Sequence, residues 1–146
     1  MKNPSRIALA CFLAWIVPGA GHFFLGKRVK AFIFLGIILL TFSLGMMMQG
    51  RVYLASHDQP LSYLATFANI ALGPLDLVGR EISYARIIYV FPAETNRDLY
   101  EDILSRMRSR ILAVTNEYGT TFVLAAGLMN ILLILDVFDI GIGRKA

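Results

Sequence analysis

One cysteine, one tryptophan, two histidines and five prolines in 146 residues leave several kinds of protein without their raw material. Cys11 has no second cysteine to pair with inside the chain, which excludes a disulfide-stapled scaffold; it lies in an apolar stretch, where a thiol serves as a small hydrophobe. Charge is scarce too. Asp, Glu, Lys and Arg make up 16% of the chain while 57% is apolar, and the mean hydropathy of +0.63 is that of a membrane protein rather than a water-soluble monomer. Charge is missing entirely from residues 7–26, 31–50 and 118–135, runs of 20, 20 and 18 residues. About 20 apolar residues span a bilayer. The net charge of +4 does not indicate nucleic acid, because the cations are scattered through the flanks of these runs with no aromatic-interleaved basic patch.

Lys2 and Arg6 before an apolar run also describe a signal peptide, and Pro18-Gly19-Ala20-Gly21 could imitate its cleavage region. The apolar run continues through Phe23, Phe24 and Leu25, which favours a retained helix. That helix is expected to start after Pro4 and end at Val17, about 22 Å and short for a hydrocarbon core of about 30 Å, so it tilts little, thins the bilayer or is re-entrant. Residues 29–49 form the second helix and 120–140 the third. The expected architecture is all-α and integral to the membrane, with three transmembrane helices. Residues 1–50 form a transmembrane hairpin, 51–117 an extramembrane or interfacial insertion, and 118–146 a third span with a basic tail. Within the insertion, 61–78 has one charge and a Gly73-Pro74 break, resembling an interfacial or re-entrant segment more than a fourth span. Residues 82–91 are β-branched and aromatic, and helix and strand stay open there. An amphipathic helix is expected over 96–114, with Thr95 as its cap, Leu99, Ile103, Met107 and Ile111 on one face, and an Asp102–Arg106 pair on the other. It would pack on the insertion, dock a partner or lie on the membrane surface.

The most distinctive run is Pro18-Gly19-Ala20-Gly21-His22-Phe23-Phe24-Leu25-Gly26-Lys27-Arg28. It resembles the small domain of two transmembrane helices joined by a Gly-x-Gly-His-aromatic turn. The second helix of that domain ends near an Asp, whereas here the acid appears only in the third span. Glu117-Tyr118-Gly119-Thr120-Thr121, Gly127-Leu128-Met129-Asn130, Leu135-Asp136-Val137-Phe138-Asp139-Ile140 and Ile70-Ala71-Leu72-Gly73-Pro74-Leu75 resemble an uncharacterised family of small bacterial multi-pass membrane proteins. These resemblances imply an architecture and a membrane-interaction role, with no reaction attached.

Read physically, Gly19, Gly21 and Gly26 let the chain turn where it leaves the bilayer, and Gly36, Gly45 and Gly127 allow helices to approach closely. His22 is the ambiguous member, a titrating group or a hydrogen-bonded structural one. Asp136 and Asp139 lie i, i+3 on one helix, where an ionised carboxylate in hydrocarbon costs at least about 2.5 kcal/mol. The deeper Asp136 is expected to pair with the basic turn through His22, Lys27 or Arg28, and Asp139, three residues nearer Arg144 and Lys145, to reach headgroups and water. Either the acids handle protons or cations, or they are helix-end acids paired to the turn. No catalytic triad, phosphate-cradling loop or zinc-spaced set is visible, so no enzyme activity, cofactor or metal is expected. His57-Asp58 reads as a polar turn. The expected function is a non-enzymatic scaffold or accessory subunit in the bacterial inner membrane, its partners being the bilayer and a protein partner or a second copy, with no nucleic acid. The alternative is a small oligomeric transporter or channel-like protein. Lys27, Arg28, Lys30, Arg144 and Lys145 place the turn and the C-terminus in the cytoplasm, with Lys2 and Arg6 on the opposite side.

Overall fold

The longest helix organises everything else in the computed structural model, which describes residues 3–93, 95–112 and 114–145. Seven helices occur among these residues, and β-structure among them is confined to isolated bridges. They are α1 (Pro4–Ile16), α2 (Ala20–Phe24), α3 (Arg28–Met47), α4 (Pro60–Ile70), α5 (Pro74–Tyr84), α6 (Arg97–Ile111) and α7 (Asn116–Ile142). At 1.5 Å per residue α7 is about 40 Å long and α3 about 30 Å. Both are long and apolar enough to cross a bilayer, each with a mean hydropathy of 2.2 over its best window. They run antiparallel: Gly45 meets Gly119 and Val123 near one end, while Ile38 packs with Val123, Ala126 and Leu133 along the shared core.

The first apolar segment forms a helix of 13 residues, shorter than α3 and α7. Residue α1 contacts place its start beside the end of α7, because Ile7 lies against Gly141, Ala10 packs with Val137, and Ala14 faces Asn130. After this descent of about 20 Å, Pro18 and Gly19 turn the chain, Gly19 with φ of 87°. Helix α2 then returns toward the end from which α1 came, and Gly21 packs on Ala10, Ala14 and Val137. The reason is local. Pro18 has no N–H to continue the helix, and a left-handed φ at the next residue favours glycine. Arg6 accordingly lies at the same end as the turn and the α7 terminus, over the Phe24 ring at 5.9 Å, rather than at the opposite end as expected. Lys2, assigned to that opposite end, lies outside the described residues.

A second hairpin enters from the other end. Helix α4 runs alongside α7 from Leu61, near Leu124 and Leu128, to Ala68, whose backbone meets Gly127. At Gly73 (φ 62°) and Pro74 the chain reverses, and α5 returns past Phe42 and Val52. The segment 61–78 is therefore two short helices around a break. Helix α6 closes this end through Ile103, which packs with Leu54 and Tyr84. It starts at Arg97 with Asn96 at its N-cap and no side-chain capping bond, so Thr95 is not the cap. Leu99 and Met107 join the inner face whereas Ile111 is exposed, and Asp102 pairs with Arg106 at 3.2 Å. Part of the expected 96–114 span, residue 113, lies outside the described residues. Residues 82–84 complete α5. Beyond them the chain turns at the left-handed Ala85 (φ 52°), and Ala55 bridges to the segment that follows, donating to the Tyr89 carbonyl and accepting from the Phe91 N–H, each at 2.8 Å.

Candidate functional site

Polar groups inside this apolar bundle fall into three levels. At the level of the α2–α3 turn, His22 is fully buried and its Nε2 lies 3.0 Å from Asp136 Oδ2. Helix α2 aims the imidazole inward, where Phe34 flanks it with ring centroids 5.0 Å apart. Lys145 approaches the other Asp136 oxygen, donating to Oδ1 at 2.7 Å, and lies 4.0 Å from Asp139. The Asp136 carboxylate, first as hydrogen-bond acceptor and then as a charge, holds the exposed Lys145 ammonium above its ordinary range. Of the candidate cations, His22 meets Asp136 and Arg28 stacks over Phe23 at 5.8 Å. Arg28 and Lys27 form no ion pair with Asp136 among the described residues. The tail therefore supplies Asp136 with a second partner, one that the sequence alone does not pair with it. Gly143, left-handed at φ 85°, turns the chain after α7 so that Lys145 folds back over the last helical turn.

At mid-height, Asn130 is fully buried and donates through Nδ2 to the carbonyls of Ala71 at 2.6 Å and Ala14 at 3.5 Å. Each belongs to the last turn or cap of a helix that ends here. The Ala14 carbonyl would ordinarily accept from residue 18, a proline without an N–H. Trp15 mirrors the arrangement, its Nε1–H donating at 3.0 Å to Ile70, whose carbonyl faces the corresponding proline, Pro74. A polar side chain and an indole thus serve the two prolines that end the half-length helices.

At the α6 end, Asp76, Arg80 and Tyr84 follow each other at four-residue spacing on one face of α5, and all are buried. Arg80 Nε donates to Asp76 at 2.8 Å, its Nη1 donates to the carbonyls of Tyr53 and Ile88, and its guanidinium covers the Tyr89 ring at 4.0 Å. Tyr84 donates to the Val52 carbonyl, and burial pushes its phenol up to about 12. Arg110 reaches across from α6 to the carbonyls of Gly50 and Ile82, and desolvation lowers it from its usual value. This cluster was missed in the sequence. The i, i+4, i+8 spacing of an acid, a base and a tyrosine was its available signal.

The candidate glycines divide. Gly19, Gly21, Gly45 and Gly127 sit where an added Cβ would strike backbone, that of Ala31, Ala10, Gly119 and Ala68 respectively. Gly26 takes the left-handed turn at φ 80° with open space around it. Gly36 is a correction: among the described residues nothing lies within 4 Å of its Cβ position, so no helix of this chain approaches it closely there. Gly50 and Gly119, not singled out beforehand, bring their backbones together beside Gly45. Among the described residues, no group of three His, Cys, Asp or Glu side chains is placed to hold a metal ion.

No curated protein and no solved structure matches the chain. A family match covers residues 9–146, from the second turn of α1 through the tail. The chain belongs to that family, described as a family of unknown function (DUF6677).

Proposed function

We propose that the chain is an integral membrane protein in which α3 and α7 cross the bilayer while the α1–α2 and α4–α5 hairpins enter from opposite faces and turn back at its middle. Its outer surface supports this. Phe12 on α1, Phe32 and Leu40 on α3, Leu64 on α4 and Leu132 on α7 are each more than half exposed, a belt that water would not tolerate. Charge sets the orientation. Residues 1–30 and 136–146 carry seven Lys and Arg against two acids, whereas 51–117 carries seven against eight. The first group, whose described members lie at one end of the bundle, belongs in the cytoplasm of a bacterial inner membrane. Cysteines introduced at positions 28 and 145 in a Cys11→Ala background should resist a membrane-impermeant thiol reagent; exclusively external labelling at both sites overturns the orientation.

Within that frame the protein acts as a non-enzymatic scaffold or accessory subunit, holding α6 and the surrounding 51–117 segment at one bilayer face for a protein partner. The observation that carries this reading is the use of interior polar groups: Asn130 and Trp15 fasten the hairpin tips, and His22 fastens the turn to Asp136. The likeness of residues 18–28 to the two-helix domain with a Gly-x-Gly-His-aromatic turn fits such a packing role. Purification in mild detergent tests it. A stoichiometric heterologous partner, lost when Arg97 and Arg108 on α6 are both changed to Glu, is the expected result; an isolated monomer in its native membrane overturns it.

One observation favours a second reading, a small oligomeric transporter or channel. Broken helices whose ends meet at mid-bilayer line substrate paths in many transporters. A symmetric homo-oligomer with Asp136 toward its axis, and a cation flux in proteoliposomes that Asp136→Asn abolishes, would replace the scaffold reading.

A further inference from the structure

Arg51 follows the end of α3 and lines a cleft of about 210 Å³ under α6, together with Tyr53, Ser56, Gln59, Ser62 and Tyr84. Its Nη1 is buried and meets no hydrogen-bond partner among the described residues. The surroundings do not neutralise it. Arg80 uses the nearby carboxylate of Asp76, Arg110 is held by backbone carbonyls, and neither Arg51 nor Arg110 forms an ion pair among the described residues. A buried guanidinium edge without an anion is costly, and its planar fork suits a phosphate.

A second cavity begins where the first ends. Tyr53, Gln59 and Ser62 belong to the walls of both, and the second, about 350 Å³, runs between α4 and α7 past Leu64, Ala68 and Leu128. The cleft beside Arg51 opens at the level where α3 ends, and the apolar groove descends along α4 for about 10 Å between residues 61 and 68. A cationic pocket leading into an apolar groove fits an amphiphile rather than a free ion.

We propose that these joined cavities bind an anionic lipid, its phosphate on the Arg51 guanidinium and its acyl chain between α4 and α7. The site rests on the membrane reading above, and it is distinct from the His22–Asp136–Lys145 group at the other end of α7. Inorganic phosphate shares the headgroup chemistry, so the test separates the two sources.

The full chain is placed in nanodiscs of phosphatidylcholine, alone or with one fifth phosphatidylglycerol, and retained lipid is read by native mass spectrometry after release into detergent. Phosphatidylglycerol should be retained at one per chain, and Arg51→Gln should weaken its apparent affinity about ten- to hundredfold. Arg106→Gln, which alters an exposed α6 pair, should leave it unchanged. Arg51→Lys, which keeps the charge, covers the case in which the Gln variant does not fold, and should retain part of the selectivity. Added inorganic phosphate should not compete at millimolar concentration. Equal retention by wild type and Arg51→Gln overturns the site, and so does equal retention of both lipids; full competition by phosphate overturns the acyl-chain part. Carbonate-resistant membrane association is measured on the same preparations, so an inserted chain without lipid selectivity defeats this proposal while leaving the membrane reading standing.

Discussion

Replacing Asn130 with Ala should be among the most damaging changes of a single uncharged side chain, and its size can be worked from the contacts. The amide holds two carbonyls, Ala71 at 2.6 Å and Ala14 at 3.5 Å, from a position with no solvent exposure. Hydrogen bonds within membrane proteins are worth about 0.6 kcal/mol on average and up to about 1.7. Removing the donor also strands acceptors that face apolar surroundings, at about 1–3 kcal/mol for a buried unsatisfied group. The lost amide leaves a void costing about 1 kcal/mol more. A total of about 3–6 kcal/mol should lower the melting temperature in detergent by roughly 10–20 °C for a chain of this length. Asn130→Asp refines the test. A carboxylate facing two helix C-termini is repelled by both partial negative charges, so that variant should be stable while protonated, near about pH 5, and lose stability as pH rises. A melting temperature for Asn130→Ala within about one degree of wild type would refute the idea that Asn130 joins the hairpins.

Asp136→Ala strips the fully buried His22 of its partner and should cost about 1–3 kcal/mol, while Asp136→Asn is milder and Asp139→Asn, with only an exposed contact to Lys145, changes the melting temperature little; equal stability of Asp136→Ala and wild type would refute the pairing. Raising the pH should destabilise the α6 end: the phenol of Tyr84 stands at about 12 in the fold, so its contribution is intact below the ordinary value of 10.0 and lost as pH climbs from there toward 12. That loss is about 2–3 kcal/mol at full ionisation, and Tyr84→Phe should flatten the alkaline limb of a stability–pH curve. Gly127→Ala drives a Cβ into the Ala68 carbonyl and should cost about 1–3 kcal/mol, whereas Gly36→Ala, in open space, should be neutral or stabilising by up to about 1 kcal/mol; equal shifts for the two would contradict the packing of α4 on α7.

Helix periods and breakers were legible in the sequence, and long-range partners were not. The expected helices 29–49 and 120–140 match α3 and α7 to within four residues at each end, and Pro4 and Pro74 open the helices in which they sit. The shortness of the first helix was readable from its Pro18 break, and its 13 residues reach about 20 Å. Its direction was not, because nothing in residues 4–18 states that Ile7 will rest on Gly141. The pairing of His22 with Asp136 could be anticipated from the cost of a buried acid, yet Lys145 reaches Asp136 only because Gly143 reverses the chain, a conformational detail outside periodicity. Gly36 failed because a glycine in a helix marks possible approach without naming a neighbour. Asn69 and Asn130, polar residues set in apolar runs, were the clearest unused signals: the second proves to be the junction of the fold.

That junction explains why two interrupted helices persist where one continuous helix would be simpler. Helices α1 and α4, with 13 and 11 residues, come to about 36 Å together, close to the length of the α7 they line. They descend α7 from opposite ends and meet C-terminus to C-terminus, so two partial negative charges and the unfilled carbonyls of two final turns converge at one depth. Left alone this arrangement would repel. The chain meets the demand with donors from three directions: Asn130 from α7, the indole of Trp15 from one helix end to the other, and the backbone N–H groups of Leu72 and Gly73, which donate to Asn69 and Ile70. Pro18 and Pro74 create the unfilled carbonyls and also force the reversals that allow α2 and α5 to leave the centre. The stability of the interruption therefore depends on residues distant from both prolines in sequence, and a variant that restores a backbone N–H at position 18 should leave the hairpin bent as long as Gly19, Asn130 and Trp15 remain.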